Sequence, residues 1–186
     1  MALVSLARVF DEFCAYFDGK MRWSAAKDSE WTDKVLSFFS DLRSREEKSF
    51  PGYRLVEVRE YMNIDYVWRS VVTSGSHIEL AVEHENTGNV KPFLEQEIQH
   101  LIDLKADNKI AITYPHVGDE EKLVRSVCDS VRSDFRHQKE NYLLLLGFAT
   151  RTGEQAAQAI LVKGHFIDSL GRETSSRQKV ILQAVP

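Results

Sequence analysis

Apolar positions at Leu3, Leu6, Phe10, Phe13 and Phe17 recur at helical spacing, so the chain opens with an amphipathic helix that ends near Asp18-Gly19. Ser29 is an expected N-cap for a second helix over residues 30–47, with Trp31, Val35, Leu36, Phe38, Phe39 and Leu42 on its apolar side. Pro51-Gly52 marks its end. Three strand-like segments follow at 53–60, 62–72 and 77–85, joined by short links such as the one at 73–76. A helix over 91–106 leads to a buried strand at 108–114, and Pro115 and Gly118 break the chain before a helix from 119 to 137. That helix has Leu123, Val124, Val127, Val131 and Phe135 as its apolar positions. The run at 142–148 is too short for a membrane and predicts a central strand, with a partner at 159–167. The last twenty residues are polar until Val180 and predict an edge strand or a tail. The order α, α, β, β, β, α, β, α, β, β predicts one mixed α/β domain over 1–186, with helices on both sheet faces.

Composition adds bounds rather than identity. The chain has 186 residues, enough for a substantial core, and its net charge of −4 lends no support to tight nonspecific nucleic-acid binding. A local basic face remains compatible with that total. Cys14 and Cys128 form neither a disulfide framework nor a zinc knuckle, which suits a reduced, cytoplasmic setting. The first residues, interrupted by Arg8 and Asp11, match neither a signal peptide nor a membrane span.

Chemistry concentrates between Glu60 and Pro115, where acids sit inside apolar strands. A carboxylate there costs several kcal/mol unless it is paired or binds a cation. Strand alternation puts Glu83 and Glu85 on one face, with Glu79 and Ala81, and Val82 and His84 on the other. A meander sets Asp65 beside Glu83, within reach of a shared metal. The competing reading is a row of exposed acids paired with Arg54, Arg59 or Arg69, but Asp65 lies among good strand formers where Asp is disfavoured. Along the following helix, Leu94, Ile98, Leu101 and Lys105 fall on one stripe. Lys105 therefore either approaches the acidic strand ends or passes the core to complement the helix C-terminus.

This arrangement resembles the PD-(D/E)xK, or restriction-endonuclease-like, nuclease superfamily over roughly residues 30–115: an acid in the second strand of a meander, a short acidic motif in the third, then a helix and a buried strand. Asp65 matches the first acid and Glu83 the second, while Glu85 takes the position usually held by lysine. Asn63-Ile64 stands where the family often has proline. The resemblance implies an αβββαβ core with an N-terminal helix and a C-terminal αββ extension. It implies a nuclease that cleaves nucleic acid, DNA first among substrates, with Mg2+ or Mn2+ held by Asp65 and Glu83. Glu85 would act catalytically, as in the Glu-x-Glu variants, or Lys105 would supply a lysine that has moved to the helix. An acid on the helix before the meander, Asp41, Glu46 or Glu47, would complete the site, and a homodimer would fit cleavage of both strands. A fold that has lost catalysis and only binds nucleic acid or protein is the alternative.

Other signals are weaker. Glu97-Ile-Gln-His100 has the spacing of half a di-iron motif, but no second copy exists, so a solvated helix face is expected, with Glu97 a possible accessory to the site. The six histidines form no ligand cluster by spacing. Trp23, Trp31, Trp68, Tyr53, Tyr61 and Tyr66 are expected in the core rather than stacked on bases. Lys122, Arg125, Arg132 and Arg136 interleave with acids, as on a solvated face.

Overall fold

The structure, a computed structural model, describes residues 4–20, 29–50, 52–73, 75–86, 88–134, 139–150 and 159–183. Helix α1 covers Leu6–Phe17 and α2 covers Ser29–Ser49. Strands β1 (Arg54–Tyr61), β2 (Ile64–Val72) and β3 (Gly75–Glu85) form the meander. Helix α3 spans 90–103 and contains a π turn at Phe93–Glu97. Strand β4 (Asn108–Thr113), helix α4 (Glu120–Ser133) and strands β5 (Asn141–Thr150), β6 (Ala159–Ile167) and β7 (Glu173–Leu182) complete the described elements.

All seven strands lie in one sheet in sequence order. β1–β2–β3 and β5–β6–β7 pair antiparallel, whereas β3–β4 and β4–β5 pair parallel through crossovers carrying α3 and α4. The mixed α/β class expected from the element order is therefore present, with helices on both faces. α1 and α2 pack on one face, where Phe10, Phe17, Trp31 and Phe39 meet Tyr66, Trp68, Val82 and Leu143. α3 and α4 cover the other, where Phe93, Leu101 and Leu123 meet Val67, Ala81, Ala111 and Leu144. Tyr142–Phe148 is apolar at nearly every position because β5 is buried on both faces. Trp31, Trp68 and Tyr66 are core residues, as expected, while Tyr53 is exposed and Trp23 lies outside the described residues.

Three boundaries differ from the sequence pattern. β7 begins at Glu173, well inside the polar tail, because the backbone ladder to β6 needs no apolar side chains. Ile181 is buried on this edge strand while its neighbours stay exposed. α4 stops at Ser133, and Phe135 and Arg136 fall outside the described residues. α3 ends at Asp103 rather than 106, for Leu104 is extended (ψ 128°) as it caps the helix. Among the described residues no helix is long and apolar enough to cross a membrane.

Candidate functional site

The β1–β2 hairpin sets the position of Asp65. Tyr61 pairs with Ile64 across a two-residue loop whose residues, Met62 and Asn63, have φ of 52° and 67°. Such loops match the right-handed twist of the strands they join. Asp65 then follows at the start of β2, and the register pairing Tyr66 with Val82 continues to put it opposite Glu83. Two hydrogen bonds tie the acids to the strand ends. The Asp65 backbone N–H donates to Glu83 Oε2 at 3.2 Å, and the His84 N–H donates to Asp65 Oδ2 at 2.8 Å. On its other side Glu83 registers with Ala111 of β4.

Helix α3 closes the cluster through its π turn. In a regular helix Phe93 and Ile98, five apart, would point about 140° away from each other. The wider turn, closed by the Ile98 N–H to Phe93 carbonyl bond, lets both be buried against the sheet. Glu97 and His100 sit on the flank of this helix and converge on Glu83. His100 Nδ1 lies 3.4 Å from Glu83 Oε1 and 4.0 Å from Glu97 Oε2. One ligand atom from each of the three residues falls within 4.8 Å of the others. The expectation of a solvated face for Glu97 and His100 is thus corrected: a contact between chain-distant elements, which spacing alone does not encode, turns them onto the acidic strand.

Charge in this cluster is expensive. Glu83 is fully buried, and burial, with Asp65 and Glu97 close by, pushes its carboxyl far above the usual carboxylate range. Burial also raises Asp65, opposed by the hydrogen bonds it takes from His84 and Glu83. Glu97 is raised by burial and by Asp65. Buried Glu83 Oε1 and His100 Nδ1 have no hydrogen-bond partner among the described residues. An orphaned carboxylate oxygen costs free energy and is what a bound cation would satisfy.

His84 points to the opposite face, as alternation requires, and braces the site from below. Its ring nitrogens lie 3.2 Å from Thr32 Oγ1 and 3.0 Å from the Tyr114 hydroxyl. Trp31 Nε1 donates to that same hydroxyl at 2.5 Å, and Asn86 Nδ2 donates to Thr32 Oγ1 at 2.7 Å. Burial lowers His84 to about 3, so the ring is neutral at physiological pH. The N-terminal end of α2 is thereby fastened to the end of β3 that carries the acids.

The remaining candidates divide. Glu85 is half-buried, two positions beyond Glu83 on the same strand, and its charge raises both Asp65 and Glu97. Lys105 does not lie on a sheet-facing stripe: the π turn shifts the helical phase, α3 ends before it, and it is exposed. Asp41, Glu46 and Glu47 stand on α2, across the sheet from Glu83. Glu46 is buried and pairs with Arg8 at 2.8 Å, Glu47 pairs with Arg43 at 2.8 Å, and Asp41 is exposed. Glu97 from α3 joins the cluster instead. Arg59 and Arg69 are engaged elsewhere, since Arg59 pairs with Asp33 and Arg69 donates to Ser76. Glu79 lies apart from the Glu83 cluster. The β2–β3 register shifts beside it, and its carboxylate groups with His77 and Asp107 nearer the other end of β3.

Sequence reasoning passed over Lys109, which is fully buried on β4 and bonded to Glu140, with further hydrogen bonds to the Tyr142 hydroxyl and the Ile102 carbonyl. Its signal was a lysine inside an apolar strand. A groove of about 890 Å³ lies along α4, away from Asp65 and Glu83. Its Arg125 and Arg132 pair with Glu121 and Asp129, consistent with a solvated face. No protein-family model matches the chain, and a search of curated proteins returns no match.

Proposed function

We propose that the chain is a divalent-metal-dependent nuclease that hydrolyses phosphodiester bonds in DNA, built on a restriction-endonuclease-like core. The observation that carries this reading is Asp65 set opposite Glu83 by the β2–β3 register, beside a Glu83–Glu97–His100 group in which the buried Glu83 Oε1 has no hydrogen-bond partner among the described residues. An antiparallel meander followed by a parallel β3–β4 crossover agrees with the same reading. The carboxylate oxygens of Asp65 and Glu83 suit Mg2+ or Mn2+, which take hard oxygen ligands and keep sites for water and phosphate. A bound cation would neutralise charge on the phosphate and acidify an attacking water. Asp65 and Glu83 would hold it, their carboxylates oriented by the backbone bonds described above. Glu85, at the half-buried strand end, would orient the water or take its proton.

A second reading has one specific observation behind it. No lysine joins the cluster among the described residues, because Lys105 is exposed and Lys109 is held by Glu140. A nuclease-like module that binds without cutting would look the same. Incubation of the protein with plasmid, linear and single-stranded DNA in Mg2+ and in Mn2+ separates the two. Cleavage that is lost in both Asp65→Ala and Glu83→Ala supports the nuclease. Full activity in either variant refutes the assignment, and silence of the wild type on every DNA and RNA form favours the binding module.

A further inference from the structure

Among the described residues, His100 supplies the nitrogen donor of an otherwise carboxylate cluster. Its Nδ1 is buried and faces Glu83 Oε1 at 3.4 Å, yet neither atom makes a hydrogen bond. An imidazolium–carboxylate pair would aim an N–H at that oxygen. A cation does not need that alignment: with nitrogen and oxygen ligands each about 2.1 Å away in tetrahedral geometry, the two ligand atoms stand about 3.4 Å apart. The third atom, Glu97 Oε2, lies 4.0 Å from the same nitrogen. Glu83 is closed to solvent at 1% exposure, while His100 at 34% and Glu97 at 21% leave a path for an ion to enter.

We infer that Glu83, Glu97 and His100 form a mixed nitrogen–oxygen site for a first-row transition-metal cation, with His100 Nδ1 as its nitrogen ligand and the determinant of its preference over Mg2+. Imidazole suits transition ions, whereas Mg2+ prefers carboxylate and water. Position on the helix supports the role, since the π turn that buries both Phe93 and Ile98 fixes the flank from which Glu97 and His100 project. The inference deepens the metal-dependent reading of the same cluster, but it concerns binding and stands apart from cleavage.

Mn2+ serves as the probe because it is paramagnetic. Calorimetric titration of the wild type should show Mn2+ binding at least about tenfold tighter than Mg2+. Pulsed electron paramagnetic resonance of the Mn2+ complex should show coupling to a 14N nucleus. In His100→Gln that coupling should vanish and Mn2+ affinity should fall roughly 10- to 100-fold, with Mg2+ affinity nearly unchanged, on the scale known for perturbed metal sites. Glu97→Gln provides a second variant: it should weaken Mn2+ while keeping the 14N signal. Thermal unfolding in EDTA establishes that both variants are folded. Mn2+ bound without 14N coupling, or coupling that survives in His100→Gln, overturns the inference while leaving the nuclease reading intact. No Mn2+ binding at millimolar concentration overturns both. Nitrogen-coupled Mn2+ in a protein that cuts nothing supports the inference and removes the nuclease reading.

Discussion

Replacing Glu83 by glutamine should stabilise the metal-free protein, and the effect should grow with pH. Glu83 is fully buried beside Asp65 and Glu97, so its proton is held more tightly in the folded chain than in the unfolded one, where its value is near 4.5. A group whose pKa rises on folding contributes stability below its unfolded value and loses it as pH climbs towards the folded one. Each pH unit in that window is worth at most about 1.4 kcal/mol. From pH 5 to pH 8 the ceiling is therefore about 4 kcal/mol, and relaxation and water entry around a buried charge reduce it to about 2. Glutamine keeps an oxygen for the Asp65 N–H and cannot ionise. Urea unfolding in EDTA at pH 5, 6, 7 and 8 should show wild-type stability falling by about 2 kcal/mol, with Glu83→Gln similar at pH 5 and more stable at pH 8. Adding Mn2+ at about 100 times its Kd at pH 8 should return about 2.7 kcal/mol to the wild type and little to the variant. A Glu83→Gln protein less stable than wild type at pH 8 would refute the reasoning, since it would mean that the ionised carboxylate is held by a structural partner.

Glu85→Ala should slow DNA cleavage on the order of 10²-fold, whereas Lys105→Ala, at an exposed position, should leave single-turnover rates near wild type. The reverse order would show that the lysine reaches the site. Lys109→Met should destabilise by about 3–5 kcal/mol because it removes the cation beside the buried Glu140 carboxylate and leaves it neutral donors such as the Ala106 N–H and the Tyr142 hydroxyl; adding Glu140→Gln should recover part of that loss in urea unfolding, and an additive double variant would count against a coupled pair. Gly88 has φ of 65°, and a Cβ there would sit 2.3 Å from the Tyr114 carbonyl oxygen. Gly88→Ala should accordingly lower stability by about 1–3 kcal/mol and weaken Mn2+ binding by displacing α3. Unchanged thermal unfolding with unchanged metal affinity would dismiss that constraint.

What the sequence determined by itself rests on local periodicity. Helical spacing from Leu6 to Phe17 marked α1, the apolar run at 142–148 marked a strand buried on both sides, and alternation separated Glu83 from His84. Even the approach of Asp65 to Glu83 follows from a short meander, because a hairpin register is set by its turn. Tertiary structure decided the rest. A π turn is a response to packing, so the sequence pattern, which offered Glu97 only as an accessory and left Lys105 open between two places, did not turn His100 towards β3 or choose the surface for Lys105. The polar strand β7 exists because β6 offers it a hydrogen-bonding edge. The bulge beside Glu79 depends on which strand it pairs with. Glu46 found Arg8 on another helix rather than the strand acids. Periodicity encodes which way a side chain leaves its own element, whereas the partner it meets depends on how distant elements dock, and at this site docking set which side chains meet.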